Sequence, residues 1–196
     1  MADSFVFLSV SGGLQSVISD IESIPANIRI AAARAVNRTS ERARTASARE
    51  MRGQVNFPAR YLSSADGRLS IVKKASADDL EAVIRGRGEA TSLARFITGG
   101  QKGKGVRVEV KPGVARYMSR TFTFKLKNGN TGLAIRTSGG PPKGAYKPKK
   151  LSENLYLLYG PSVDQVFRSV AEDVAEPMAD FLEREFNRLL DLGSLN

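Results

Sequence analysis

The sequence from Leu151 to Leu192 constrains the fold more than any other part of the chain. It opens with a dense apolar run around Leu155 and Leu157, which predicts a central strand that is covered on both faces. Tyr159–Pro161 then predicts a sharp turn, because glycine tolerates backbone angles that other residues avoid and proline fixes its own. The strand should therefore end here.

A long amphipathic helix is predicted after this turn. Ser162 and Gln165 have the spacing of a capping box, which satisfies free backbone donors at a helix start. Pro177 interrupts the helical pattern, so we expect either a kink near Ala175 or a second helix with Pro177 in its first turn. Acids occupy one side, and the apolar residues that recur at helical spacing on the other are Val163, Val166, Phe167, Val170, Val174, Met178, Phe181, Leu182, Leu189 and Leu190.

A second long helix, over residues 26–52, is predicted to pack its first half against the C-terminal helix. Its buried face is mostly alanine, which allows close approach. Arg34, Arg38 and Arg42 stand four residues apart and form one cationic ridge. One interpretation is a solvated ridge. The other is a ridge that faces phosphates or the acidic helix of a neighbouring copy.

Alternating apolar residues predict strands in the middle of the chain. Residues 121–127 and 131–136 should pair as a hairpin, because Asn128-Gly129 between them is the strongest turn signal in the chain. Residues 68–74 and 80–85 resemble another hairpin, although 78–84 also fits a short helix. We predict an α+β fold, with an antiparallel sheet of about four to six strands packed by the C-terminal helix and the alanine- and arginine-rich helix.

Two long basic loops, over residues 98–105 and 137–150, should extend from a single domain that spans the whole chain. The first is not a phosphate-binding loop, because Lys104 is followed by Gly105 and a strand instead of by Ser or Thr and a helix. The lysines of these two loops are Lys102, Lys104, Lys143, Lys147, Lys149 and Lys150.

The chain lacks cysteine, histidine and tryptophan. The sequence therefore offers no disulfide, no thiolate or imidazole metal site and no histidine base. One weak enzyme-like pattern places Glu109 and Lys111 on one strand face, with Asp78 or Asp79 upstream, as in metal-dependent nucleases. Any amphipathic strand of mixed charge has the same spacing, so we predict no enzyme activity, cofactor or metal.

Charge is distributed unevenly along the chain, which carries a formal +10. Residues 159–196 hold eight acids and three arginines, net −5, whereas the first 158 residues have a net charge of +15. Such polarity favours contact with nucleic acid or with an acidic protein surface. No segment approaches the ~20 apolar residues that span a bilayer. Residues 5–10 should form a first strand instead of a signal core, and 14–24 a short helix.

Several motifs occur in an order that resembles a known family. They are Ala35-Val36-Asn37-Arg38, Arg68-Leu69-Ser70-Ile71, Ser92-Leu93-Ala94-Arg95-Phe96, Asn128-Gly129, Tyr159-Gly160-Pro161-Ser162-Val163 and Glu185-Phe186-Asn187-Arg188. In this order they resemble the minor tail protein Z family of tailed bacteriophages and prophages. The resemblance implies a non-enzymatic virion protein that completes the tail at its head-proximal end, as a ring around the DNA channel.

In such a ring, the acidic helix of one copy lies within reach of the basic helix of the next. The expected interface residues are Arg34, Arg38 and Arg42 on one side and Glu172, Glu176, Asp180 and Glu183 on the other. The resemblance also implies that the six lysines of the two basic loops line the DNA channel or contact neighbouring rings. Expected partners are further copies, the tail terminator, tube and connector proteins, and the phage DNA, with assembly in the host cytoplasm. The alternative is a non-specific DNA-binding protein that uses the arginine-rich helix.

Overall fold

The computed structural model describes residues 6–7, 24–101, 104–144 and 146–194. The chain has the predicted α+β fold, in which two long helices pack on antiparallel sheets. Of the predicted first strand, the described residues Val6–Phe7 form β1. The helix predicted over 14–24 lies outside the described residues, apart from Ile24.

Helix α1 spans Ala26–Gln54, close to its predicted bounds. No side chain caps its start, which follows Pro25. Small side chains fill its buried face, and Ala35, Ala43 and Ser47 are completely buried. Because small residues let two helix axes approach closely, this face suits a partner helix.

The partner is helix α2, which spans Val163–Ser194 and runs antiparallel to α1. The predicted packing of the two helices is confirmed, but it is not limited to the first half of α1 and continues to the end of that helix. Three side-chain contacts show how the helices align. From the start to the end of α1, they join Arg38 to Glu185, Arg42 to Phe181 and Gln54 to Ser169, so the residue numbers fall along α2 as they rise along α1.

The predicted start of α2 is confirmed, because the Gln165 backbone N–H donates to Ser162 Oγ at 3.0 Å. The helix continues through Pro177, so the prediction of a second helix is wrong. Pro177 and Asp173 are both exposed, and water can satisfy the carbonyl group that loses its helical donor. The apolar stripe meanwhile holds both halves on one core, with Val163, Val166, Phe167, Val170, Val174, Met178 and Leu182 buried.

The strands of the described part of the chain are short. They are β1 (Val6–Phe7), β2 (Leu69–Lys73), β3 (Val83–Gly86), β4 (Ala90–Ser92), β5 (Ile97–Gln101), β6 (Gly105–Lys111), β7 (Val114–Ser119), β8 (Thr121–Lys125), β9 (Thr131–Arg136), β10 (Lys149–Ser152), β11 (Leu155–Leu157) and β12 (Tyr159–Ser162). They form four antiparallel sheets, in the orders β1-β3-β2, β10-β11-β9-β8, β12-β4 and β5-β6-β7. Phe57, Phe96 and Phe167 lie in the core between these sheets and the helices.

Both predicted hairpins are confirmed. Strands β8 and β9 pair across the Asn128-Gly129 turn, where Gly129 has a φ of +79°. Strand β2 pairs with β3, and Ser76 bridges Asp79 in the connection between them. The alternative of a helix over 78–84 is therefore wrong.

The predicted turn at Tyr159–Pro161 is wrong. These residues continue into β12, which pairs with β4. A Cβ atom on Gly160 would lie only 3.3 Å from the side chains of Leu93 and Phe96, so this glycine permits close packing and not a change of direction. The preceding strand, β11, does lie between two others, as predicted for a central strand.

The stretch 98–105 is not a free loop. Thr98 to Gln101 belong to β5, which pairs with β6 through Gly99 and Gly100. Composition suggested a loop because glycine has no side chain to show the alternation of a strand. In the stretch 137–150, by contrast, strand structure is limited to the start of β10 among the described residues.

Candidate subunit interface

Helix α2 exposes a row of carboxylates, here called the acidic ridge. From Ser169 to Glu183 the sequence contains five acids and no base. All five are exposed, and none forms an ion pair within the described part of the chain. The ridge consists of Glu172, Glu176, Asp180 and Glu183, which share one helix face, with Asp173 beside them. The structure thus brings together the four acids predicted for the interface.

The predicted arginine ridge of α1 contacts α2 of the same chain. Arg38 forms an ion pair with Glu185, and the Arg42 guanidinium carbon lies 4.6 Å from the centroid of the Phe181 ring. Arg34 is exposed and has no ion pair among the described residues. Two of the three arginines are therefore engaged within the chain, on a side of α2 away from the acidic ridge.

Glu185 is the centre of this contact. It is 7% exposed and accepts hydrogen bonds from Arg188, at 2.7 and 2.9 Å, and from Arg38. The bonds from Arg188, followed by those from Arg38, lower the pKa of Glu185 from its ordinary 4.5 to about 2, against the opposing effect of burial. The ion pair joins residues 147 positions apart and so ties the two ends of the fold together.

Replacing Glu185 with glutamine should lower the free energy of unfolding at pH 7 by about 1 kcal/mol, a modest loss because both arginines are about half exposed. The folded pKa is depressed, so this contribution is complete above pH 4.5 and disappears as the pH falls toward 2. Urea unfolding between pH 7 and pH 2 should show that the difference in the free energy of unfolding between the wild-type protein and Glu185→Gln disappears. Glu50→Gln, which removes an exposed carboxylate of α1 that has no ion pair among the described residues, should leave stability unchanged at each pH.

The predicted lysines occupy exposed positions where the structure describes them. Lys104 lies in the turn before β6, and Lys143, Lys147, Lys149 and Lys150 are exposed; Lys102 lies outside the described residues. The segment that carries the last four is held near the start of α2, because the Tyr146 hydroxyl donates to Gln165 Oε1 at 2.8 Å. These lysines are therefore spread over two regions of the surface.

A second cationic surface was not predicted. It lies on the hairpin of β6 and β7, where every residue of β7 except Met118 is exposed. Arg107 stands directly opposite Tyr117, whose side chain is 57% exposed. We call this the hairpin surface, and its exposed residues are Arg107, Lys111, Val114, Arg116, Tyr117 and Arg120. None of its four bases forms an ion pair within the described residues.

Comparison with known families identifies the class of protein. The family model described as prophage minor tail protein Z (GPZ) matches residues 12–192. The chain belongs to the minor tail protein Z family. Its members are structural proteins of the phage tail, so the expected resemblance is confirmed. Comparisons with curated proteins and with solved structures found no match.

The residues of the nuclease pattern have other partners in this member of the family. Glu109 accepts a hydrogen bond from the Gly113 backbone N–H at 2.9 Å and so closes the turn of its own hairpin. Asp78 pairs with Arg29 at 2.9 Å, and Asp79 pairs with Lys73 at 2.7 Å. Across the described residues, no group of three or more potential metal ligands occurs.

Helices α1 and α2 are long and amphipathic. Neither is apolar enough over its described length to cross a membrane. Two exposed surfaces of opposite charge lie on separate elements of this tail protein, with acids on α2 and bases on the hairpin surface. Neither forms an ion pair within the described part of the chain, so both are candidates for contacts with other molecules.

Proposed function

We propose that the protein is a non-enzymatic tail completion protein that forms a ring at the head–tail junction, around the DNA channel. The observation that supports the ring is a pair of exposed surfaces of opposite charge on one chain, neither of which forms an ion pair among the described residues. A surface on one side that fits a different surface on the other gives a head-to-tail contact, and such a contact closes into a ring when the rotation allows.

In this proposal the acidic ridge is one side of every subunit contact. Neighbours above and below are the connector, terminator and tube proteins, which the ring joins through its loops. Lys104 and the lysines of the segment 143–150 face those neighbours or the DNA, because exposed lysines without carboxylate partners suit phosphate or acidic surfaces. The chain acts as one domain, and it reaches the virion after assembly in the host cytoplasm.

Native mass spectrometry and electron microscopy of the purified protein and of intact tails test this proposal. We expect a closed oligomer of defined size, which loosens as salt is raised, since its contacts are ionic. In tails, the same ring should lie at the head-proximal end. A strict monomer that binds duplex DNA with a steep salt dependence would instead favour the alternative of a non-specific DNA-binding protein.

A variant in the arginine ridge distinguishes the ring-forming tail protein from the alternative DNA-binding protein. Arg38 and Arg42 contact α2 of the same chain, which leaves Arg34 as the member of the ridge without a charged or aromatic partner among the described residues. An Arg34→Glu variant should therefore retain most of any DNA affinity that the protein has. A loss of DNA affinity of about tenfold or more would support the alternative function, because a helix that binds DNA uses its exposed, unpaired arginines to contact phosphates.

A further inference from the structure

The hairpin surface has the composition of a protein interface. Arginine and tyrosine are enriched in the centres of such interfaces, where they dominate binding energy. Tyr117 is 57% exposed and Val114 45%, the highest values for large apolar residues in the strands whose burial the structure describes. The bases Arg107 and Arg116 flank Tyr117 across and along the hairpin. This combination calls for a partner that offers both carboxylates and apolar atoms.

Strand β7 is also an open edge. It is the last strand in the order β5-β6-β7, and both of its faces are exposed. Natural proteins usually cover or shorten such edges, because they invite contact with another chain. Because side chains alternate along a strand, Arg116 lies on one face of β7 and Tyr117 on the other. A partner that lies along the edge itself can border both faces.

From these observations we infer that the acidic ridge of a second copy docks along the β7 side of the hairpin surface. This inference rests on the proposed ring and identifies the surface that faces the acidic ridge. The lengths agree: the ridge from Glu172 to Glu183 is ~17 Å long at the rise of an α-helix, and β7 is ~17 Å long at the rise of a strand. Five carboxylates on one side face four bases on the other.

The apolar parts of the two surfaces also match. Ala175 and Ala179 lie beside the carboxylates on α2, and Ala175 is exposed. They offer small, flat contacts on which Tyr117 and Val114 can pack. The phosphate backbone of duplex DNA would satisfy the arginines but would leave these two side chains in water. The second copy is therefore the better occupant.

Charge reversal tests the contact. The ridge variant carries Glu176→Lys and Asp180→Lys, and the hairpin variant carries Arg107→Glu and Arg116→Glu; all four positions are exposed, so folding should be unaffected. In sedimentation velocity, each variant should raise the dissociation constant of self-association about tenfold or more, because like charges would then face each other. The chain that carries all four substitutions should recover most of the wild-type value.

Cysteine cross-linking gives a second, independent measurement, since the natural chain has no cysteine. A chain with Asp180→Cys and Tyr117→Cys should form a ladder of covalent dimers, trimers and larger species after mild oxidation. Chains with only one of these substitutions should not form the ladder, because the proposed contact joins different surfaces. Circular dichroism on every variant confirms that the fold is intact.

The possible failures are distinguishable. Suppose that rings form, that the variant with all four substitutions self-associates no more tightly than the variants with two, and that no ladder appears. The docking inference is then overturned, and the proposed ring is not. If the hairpin variant loses duplex DNA binding while self-association is unchanged, DNA is the occupant and the inference is overturned. If the wild-type protein is monomeric both in solution and in purified tails, the ring itself is overturned.

Discussion

Gly105→Ala should lower the free energy of unfolding by about 2–4 kcal/mol and release the hairpin of β6 and β7. Gly105 has a φ of +143°, in a region that residues with a side chain rarely adopt. An added Cβ would also overlap the carbonyl oxygen of Met118 and lie 3.0 Å from Cα of Ser119. Both atoms belong to the backbone of β7, so no side-chain rotation can relieve the clash, and the strands must separate.

Hydrogen exchange is the decisive measurement for this variant. Amides of β6 and β7 should exchange much faster, whereas those in the middle of α1 and α2 should keep their protection. Gly99→Ala is the matched control, because a Cβ there would have nothing within 4 Å. If both variants have the same midpoint in urea, the backbone contact at Gly105 does not constrain the hairpin.

The helices are the part of the fold that sequence reasoning predicts best. Apolar residues at helical spacing continue long enough to define a stripe, and the capping pair of Ser162 and Gln165 marks its start. The helix continues through Pro177, because the packing on both sides of the proline offsets its local cost. Tertiary contacts therefore decide whether the helix continues.

The sheets were predictable only where the signal was local. Asn128-Gly129 identifies a hairpin from two adjacent residues. The pairing of β12 with β4 joins segments about 70 residues apart in the chain, so no local pattern shows it. Strand β5 is also not predictable from a local pattern, because Gly99 and Gly100 have no side chains that could show the alternation of a strand.

The sequence shows the two sides of the candidate interface unequally. Repeated acids at helical spacing show the acidic ridge directly, whereas Arg38, predicted to face phosphates or the acidic helix of a neighbouring copy, pairs with Glu185 of its own chain. Charge alone does not distinguish a contact within a chain from one between chains. The sequence does not predict the hairpin surface, because Arg107 and Tyr117 become neighbours only through strand register. The one local indication of it is the stretch 114–119, which contains an arginine and a tyrosine next to each other.

Phe167→Ala should be the most damaging single truncation of α2, with a loss of about 3–5 kcal/mol in the free energy of unfolding. The Phe167 side chain is completely buried in the core cluster, in which α2 packs on α1 and the sheets. Its removal leaves a cavity that fixed backbone elements on several sides cannot fill. In a chain of this size the melting temperature should fall by about 10 °C.

Phe181→Ala on the same helix is the control, since it removes the same atoms from a half-buried position under Arg42. We expect it to cost about 1–2 kcal/mol, from partial burial and the cation–π contact. Both phenylalanines lie away from the acidic ridge, so neither variant changes the charge that the proposed ring depends on. Urea unfolding at pH 7 compares the two variants. If Phe167→Ala lowers the free energy of unfolding no more than Phe181→Ala does, Phe167 does not lie at the centre of the core. If the folded fraction of either variant still forms rings, stability and assembly depend on different faces of one helix, as the burial pattern requires.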